Sequence, residues 1–369
     1  MTSNKRLFLD IHVIQTVPPS NINRDDTGSP KTAQYGGTRR ARVSSQAWKK
    51  VMREYFIKYG AQENKGVRTL NVPQYVADKI EKLEPGIDHK KAFDLAKNAV
   101  NAAGIETKLN KQKKNKKEEE AEALFFIGSR QAEVLAQAAL QGVKEKKTLQ
   151  TILKSNLPID IALFGRMLAK DDELNADASA QVAHAISTHA VQTEYDFFTA
   201  VDDRPTEYDK GAGMIETTEF NSSTLYRYAN VAVHAFKDQL GDKEQTLQAL
   251  KLFIEAFANS MPTGKSNSFA NQTLPQAILV TVRKDRPVNL VSAFEEPVKS
   301  SDGYVQKSIE RLFSEMKAVD KFVCPPAFTL YVTGYDMPDA DIGQAQNSLM
   351  ALLDTFYEAM DGLLPEKAE

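Results

Sequence analysis

Two pairs of adjacent carboxylates are the sharpest chemical feature of this chain. Asp25-Asp26 and Asp202-Asp203 each set two acidic side chains together. Such pairs can hold magnesium for in-line cleavage of a phosphodiester. Asp25 and Asp26 also stand beside Arg24 in a stretch of turn-forming residues, where an ion pair or a turn cap employs the same groups without chemistry. Both readings stay open here: a metal-dependent ribonuclease using Asp25 and Asp26, or a loop braced by them. His184 and His189 are five residues apart, whereas two zinc ligands on one helix face need four. With no cysteine or carboxylate in register, they read as packing or hydrogen-bonding residues, and no metal or cofactor is expected. Cys324 is the only cysteine; it has no activating base beside it and reads as a buried thiol. Pro262-Thr263-Gly264-Lys265-Ser266-Asn267 looks like half a phosphate loop, but the first Walker glycine is missing, which removes nucleotide hydrolysis.

A second feature is charge. From Arg24 to Arg53 the chain carries Arg24, Lys31, Arg39, Arg40, Arg42, Lys49, Lys50 and Arg53 against only Asp25 and Asp26, in a protein whose total formal charge is −2. A protein binding nucleic acid by bulk charge would be basic throughout; a local field of this kind can still draw a polyanion. Arginine offers a planar fork to phosphate and lysine a point charge. Ser44 and Gln46 add neutral donors where a helix begins, and helix amides also favour phosphate. The plainer reading is a solvated basic face with Ser44 or Ser45 capping the helix.

The elements that would position these groups can be read from periodicity. Leu7 to Val17 alternates, with Leu7, Leu9, Ile11 and Val13 on one side, so a strand with one buried face is expected, ended by Pro18-Pro19. Ser20 to Gly37 reads as a long loop. A helix follows from Ser44 or Ser45, with Trp48, Val51, Met52, Tyr55 and Phe56 inward and Lys49, Lys50 and Arg53 outward. Arg68 to Lys170 is rich in Ala, Lys, Glu, Gln and Leu, with helices expected near 91–103, 118–141 and 145–155. The tract Lys111–Glu120 reads as a solvated loop. Ser179–Gln192 reads as helix. Tyr195 to Ala229, with Gly211 and Gly213 between aromatic β-prone flanks, reads as a long hairpin running into a strand. A helix over Leu247–Phe257, a strand at Ala277–Arg283, a helix near Val305–Met316, a strand at Phe328–Thr333 and a last helix over Gln346–Met360 complete the chain. Without the helical stretch the order is strand, helix, strand pair, helix, strand. The fold class expected is α+β, with an RRM-like (ferredoxin-like) palm over 1–60 and 181–369, a helical insertion over 61–180 and a hairpin at about 194–225.

Composition bounds the rest. The chain has 369 residues, 42% hydrophobic and 26% charged, typical of a globular protein with ample core. A single cysteine rules out an internal disulfide and fits a reducing compartment. The first residues, Met1 to Arg6, have no signal-peptide core, and no apolar run is long enough to cross a bilayer. A cytoplasmic location and no membrane partner are expected.

Several motifs, read together, resemble one family. Asn23-Arg24-Asp25-Asp26 and Gly36-Gly37-Thr38-Arg39-Arg40-Ala41-Arg42-Val43-Ser44-Ser45-Gln46 resemble the N-terminal signature of the CasC-type (Cse-type) backbone subunit of type I-E CRISPR Cascade. Asp160-Ile161-Ala162-Leu163-Phe164-Gly165-Arg166-Met167, His184 to His189, Phe198 to Asp203, and Phe220-Asn221-Ser222-Ser223 with Tyr226 to Asn230 follow in the same order. The resemblance implies an RRM-like palm, a helical finger and a hairpin thumb. It implies copies stacked head to tail along one CRISPR RNA, with other Cascade subunits, whose exposed guide bases pair with a target DNA strand. It implies a protein that is not itself a nuclease, whereas related type III backbone subunits cut RNA with a loop aspartate. On this resemblance Arg24, Lys31, Arg42, Ser44, Gln46, Lys49, Lys50 and Arg53 contact guide phosphates. Met167, with Ile215 opposite it, wedges against displaced bases, although both are ordinary core residues elsewhere. Arg166 touches phosphate or caps the preceding helix, and Lys265 and Asn267 lie near the guide. Lys144, Lys146, Lys147 and Lys154 read as a solvated helix face before they read as DNA contacts.

Overall fold

The computed structural model describes residues 6–60, 66–109, 119–155, 157–168, 172–201, 212–337 and 341–365, with 200, 201 and 212–215 by backbone alone. The tract 110–118, Asp202, Asp203 and Gly211 therefore lie outside the described residues, as does the side chain of Ile215. The chain divides into two compact units. One comprises Met1–Met52, Val182–Asn230 and Phe253–Ala359; the other comprises Arg53–Gln181, Val231–Leu252 and Met360–Glu369.

The first unit is built on a sheet. Its strands lie in the order Gln344–Ala345, Phe328–Thr333, Ala277–Arg283, Phe8–Ser20, Ala212–Ala232, Ala185–Ser187, Thr38–Val43, Thr32–Tyr35. Phe8–Ser20 pairs antiparallel with Ala277–Arg283, with Phe8 opposite Arg283 and Ile14 opposite Ala277. Ala277–Arg283 pairs antiparallel in turn with Phe328–Thr333. The strand Phe8–Ser20 runs through Pro18-Pro19 instead of stopping there. Its partner on one side has ended at Ala277, so neither proline owes that side a ladder hydrogen bond. Both of its faces are buried, Asp10 and His12 as deeply as Leu9 and Ile11. The one-sided strand read from alternation is thus a central, two-sided one. On one face Ile14, Tyr226, Leu279, Leu290 and Phe294 pack with Ile309, Leu312, Phe313 and Met316 of the helix Val305–Val319.

Other expectations are corrected in the same unit. The expected loop 20–37 contains Thr32–Tyr35, a strand hairpinned to Thr38–Val43. The expected helix 179–192 is extended, with strands Ala180–Val182 and Ala185–Ser187. Its alanines suggested helix, but the segment fills a gap between two strands, and sheet neighbours override propensity. The long hairpin is present: Glu194–Val201 pairs antiparallel with Ala212–Ala232, with Glu194 opposite Phe220 and Ala200 opposite Met214. Cys324 is exposed, not buried, in the turn after the helix Val305–Val319.

The second unit is mainly helical. Val72–Leu83, His89–Ala102, Ser129–Leu140 and Lys146–Lys154 enclose Val76, Ile80, Ala96, Val100, Leu135 and Leu149. Asp88 caps His89–Ala102 by accepting from the Lys91 amide at 3.2 Å. The helix expected over 118–141 begins only at Ser129. Before it, Glu119–Ala121 and Phe125–Gly128 form two short ribbons with Thr107–Leu109 and Gly66–Thr69. Phe125, Phe126 and Ile127 are bulky and suit a pleated surface. The helix Val72–Leu83, with Pro73 in its first turn, is an addition to the elements read from sequence.

Candidate nucleic-acid interface

In the sheet unit two of the predicted cations stand at a crevice beside the hairpin Thr32–Tyr35/Thr38–Val43. Lys31 and Arg42 line it with Asn23, Asn221 and Ser223. The backbone fixes this arrangement. The Lys31 amide donates to the Asn23 carbonyl and the Arg42 amide to the Lys31 carbonyl, each at 2.9 Å. Asn23 Oδ1 accepts from the Ser44 amide at 2.8 Å. This ties the loop to the start of the helix Ser45–Tyr59, where Ser44 Oγ accepts from the Ala47 amide. Arg42 donates from Nε to the Thr32 carbonyl, and its Nη1 lies 3.2 Å from His184 Nδ1. His184 is held below the usual imidazole range, by burial first and then by Arg42 and Lys31. A neutral His184 can accept that hydrogen bond, which leaves the rest of the guanidinium for an anion.

Arg24, Gln46 and Lys50 are exposed, and Lys49 is half-buried with its ammonium pKa lowered by desolvation. Arg39 is exposed and its neighbour Arg40 is fully buried, as alternation along a strand requires. Arg40 donates to the carbonyls of Tyr35, Ser187, Phe294 and Glu295. Lys265 donates to Thr218 Oγ1 at 2.8 Å, on the strand Ala212–Ala232, and Asn267 is exposed nearby in chain. Lys265 takes a left-handed backbone, φ 46°, a conformation that costs a non-glycine residue energy and is often found at functional loops.

The remaining predicted residues, Arg53, Arg166 and Met167, belong to the helical unit. Met167 is 89% exposed, which removes the core-packing reading for it. Arg166 is corrected. Its guanidinium is buried and donates to the carbonyls of Leu174, Phe126 and Leu153 at 2.9, 3.0 and 2.9 Å. Three carbonyls brought from separate segments satisfy it, so it braces the unit and has no free edge for a phosphate. Arg53 lies over the Phe126 ring at 4.3 Å, with Nε 3.5 Å from Asp160 Oδ2.

Asp25 is an exposed turn-former. Its carboxylate accepts from the Thr27 amide and hydroxyl and from the Ser29 amide at 2.9, 2.7 and 3.0 Å. These bonds, the Thr27 hydroxyl foremost, hold it below the usual carboxylate range. Among the described residues no three His, Cys, Asp or Glu side chains converge as metal ligands. No described helix is long and apolar enough to cross a membrane. Charge counting missed Asn23, Asn221 and Ser223 as crevice residues, and His184 as the partner of Arg42, because none carries a fixed charge. All four lie inside the motifs that carried the resemblance.

Comparison with known proteins agrees with those motifs. No curated protein matches the chain. A solved chain described as "CRISPR RNA-guided surveillance complex, pre-nicking" superposes with a TM-score of 0.83 at 35% identity, covering 95% of this chain and 99% of that one. Another, described as "CRISPR RNA-guided surveillance complex", superposes with a TM-score of 0.64 at 30% identity, covering 96% and 99%. The α+β arrangement of sheet and helices is therefore shared with those chains over almost their whole length. The family model described as "CT1975-like protein" matches residues 9–355, and the chain belongs to that family.

Proposed function

We propose that this chain is the guide-RNA-holding backbone subunit of a type I-E CRISPR surveillance complex, a cytoplasmic protein that binds and positions RNA and performs no chemistry of its own. The observation that carries the reading is the crevice in the sheet unit. Two cations, Lys31 and Arg42, stand there with neutral hydrogen-bonding groups beside a helix start, and the solved chains of similar fold come from RNA-guided complexes. Such a surface reads phosphate and backbone shape, and base pairing reads sequence.

The palm is RRM-like on this reading. Ala277–Arg283, Phe8–Ser20, Ala212–Ala232 and Ala185–Ser187 are neighbours in that order, the fourth, first, third and second strands of a ferredoxin-like chain whose helices are Ser45–Tyr59 and Lys243–Asn259. The palm spans 1–60 and 181–369, the finger 61–180 and the thumb hairpin about 194–225. Copies stack head to tail on CRISPR RNA beside other Cascade subunits, and the exposed guide pairs with target DNA. Arg24, Lys31, Arg42, Ser44, Gln46, Lys49, Lys50, Arg53, Lys265 and Asn267 hold the backbone, and Met167 with Ile215 meets the displaced base. Asp25 Oδ1 is engaged by its own turn, and no observation favours the ribonuclease alternative.

The test is a native gel shift with a labelled repeat–spacer RNA in magnesium, followed by a denaturing gel. A ladder of shifted species over intact RNA is expected. RNA cut at regular spacing, and left whole by Asp25→Ala or Asp26→Ala, would overturn the proposal. Lys49→Ala with Arg53→Ala should weaken binding equally for all sequences and lower the salt slope by roughly 0.7 per lost contact. An unchanged slope removes these residues from the interface.

A further inference from the structure

Arg53 is held from behind. Asp160 lies in the first turn of the short helix Ile159–Phe164, with its side chain 4% exposed. A buried carboxylate needs partners, and this one has a hydrogen bond from the Ile161 amide at 3.1 Å and an ion-pair contact, short of a hydrogen bond, with Arg53 Nε at 3.5 Å. The Phe126 ring lies beneath the guanidinium at 4.3 Å. Gly66 completes the wall: a Cβ there would stand 2.6 Å from Asp160 Oδ1 and 2.7 Å from Phe126 Cε2. Arg53 Nε is fully enclosed, yet the side chain as a whole retains 23% exposure. One edge of the fork is therefore turned inward, and what remains accessible belongs to the rest of the side chain.

A guanidinium is planar, so fixing its Nε edge and one ring face fixes the direction of its two Nη groups. A free arginine on a helix surface would lose rotamer entropy on meeting a phosphate. Part of that cost has already been met during folding. Full burial of the carboxylate offers no such service by itself; its placement against the inner edge of a partly exposed arginine does.

We propose that Asp160, walled by Gly66 and Phe126, is a positioning residue that presents the outer edge of Arg53 to an RNA phosphate. This rests on the guide-holding function above. If Asp160 only offset charge, its removal would free a cation and tighten RNA binding. If it orients Arg53, its removal loosens binding although net charge becomes more positive.

The test measures binding of a labelled single-stranded RNA by the full chain and by Arg53→Ala, Asp160→Asn, the double variant and Gly66→Ala, with thermal melting as a check of folding. Arg53→Ala and Asp160→Asn should each weaken binding by about five- to tenfold, as for one charged hydrogen-bonded contact partly screened by water. The double variant should be no weaker than either single, because both remove one oriented contact. Gly66→Ala alters no charge and displaces the carboxylate, so it should weaken RNA binding as Asp160→Asn does, even if the latter folds poorly. A folded Asp160→Asn that binds as tightly as the parent or more so would overturn the proposal, as would additive losses. Normal binding by Arg53→Ala would sink this proposal alone. No RNA binding by the parent chain would sink the guide-holding function and this proposal with it.

Discussion

At the scale of single residues, burial decides which charged groups are available, and burial is poorly legible in sequence. The basic run from Arg24 to Arg53 was plain from charge alone. That Arg40 and Arg166 are spent on backbone carbonyls was not, because Arg166's acceptors come from Phe126, Leu153 and Leu174. Asp10 and His12 make the same point inside the sheet unit. Burial above all pushes the Asp10 carboxyl up to about 7, against the Tyr228 hydroxyl, the Val288 amide and Arg283. Burial, then Arg283, pushes His12 down to about 3. A carboxyl raised in the native state binds its proton there first, so Asp10 contributes stability that is present at low pH and lost as pH rises through about 7. A histidine lowered in the native state does the reverse: its contribution is present above the ordinary value of 6.5 and lost as pH falls toward about 3. Between pH 6.5 and 4.5 the two slopes oppose each other, at up to about 1.4 kcal/mol per pH unit each. His12→Asn should therefore make thermal stability climb on acidification relative to the parent, and Asp10→Asn should make it fall. All other titrating groups are common to the three proteins. Three parallel stability–pH curves would show that neither group is shifted.

At the scale of elements, strong periodicity was readable and weak periodicity was not. Ala277–Arg283 and Phe328–Thr333 have the bounds that their β-branched and aromatic content suggested. The segment 185–187 lost its alternation because all three residues are buried, and a strand buried on both faces looks like any short apolar run. The hairpin 32–43 was missed because its strands are polar, although Gly36-Gly37 between them is a hairpin signal. Both glycines have positive φ, 57° and 75°, as a two-residue turn of this twist requires. They differ in surroundings. A Cβ on Gly37 meets nothing within 4 Å, whereas one on Gly36 would lie 1.6 Å from the Glu295 carbonyl oxygen. Gly37→Ala should cost only the left-handed conformation, about 1–2 kcal/mol. Gly36→Ala should cost at least about 2 kcal/mol more in urea unfolding, since backbone cannot yield as a side chain can. It should also weaken RNA binding, because the hairpin carries Arg42 and is preceded by Lys31. Equal losses from the two substitutions would mean that the turn does not seat against Glu295.

At the scale of the whole molecule, a repeated subunit on a strand needs two different faces, one for each neighbour, and an interface that does not close. On the proposed function, a net charge of −2 would let copies repel one another little, while the local patch would draw the RNA. Binding RNA and stacking on it are then separable properties of separate elements. The hairpin Glu194–Val201 with Ala212–Ala232 is the element to test. Its base is anchored, since Asn21 Nδ2 donates to the Glu219 carbonyl and Lys265 to Thr218. The ribbon beyond leaves Tyr195 and Phe197 exposed at 67% and 65%. Phe197 faces Thr217 across the ladder, so residues 198–216 can be replaced by Asn-Gly, a turn that closes two paired strands. The shortened chain keeps every anchored residue and the whole crevice. It should melt near the parent temperature and bind a short RNA sized for one copy within about twofold of parent affinity, because the replaced segment removes Ile215, Arg204 and Lys210 but none of the cations proposed to hold phosphate. On a longer repeat–spacer RNA its native gel should show independent, unevenly filled species instead of a cooperative ladder, with nuclease protection no longer regular. A parent-like ladder and protection pattern from the shortened chain would place the stacking contacts elsewhere, and a loss of short-RNA binding would make the hairpin part of the RNA groove itself.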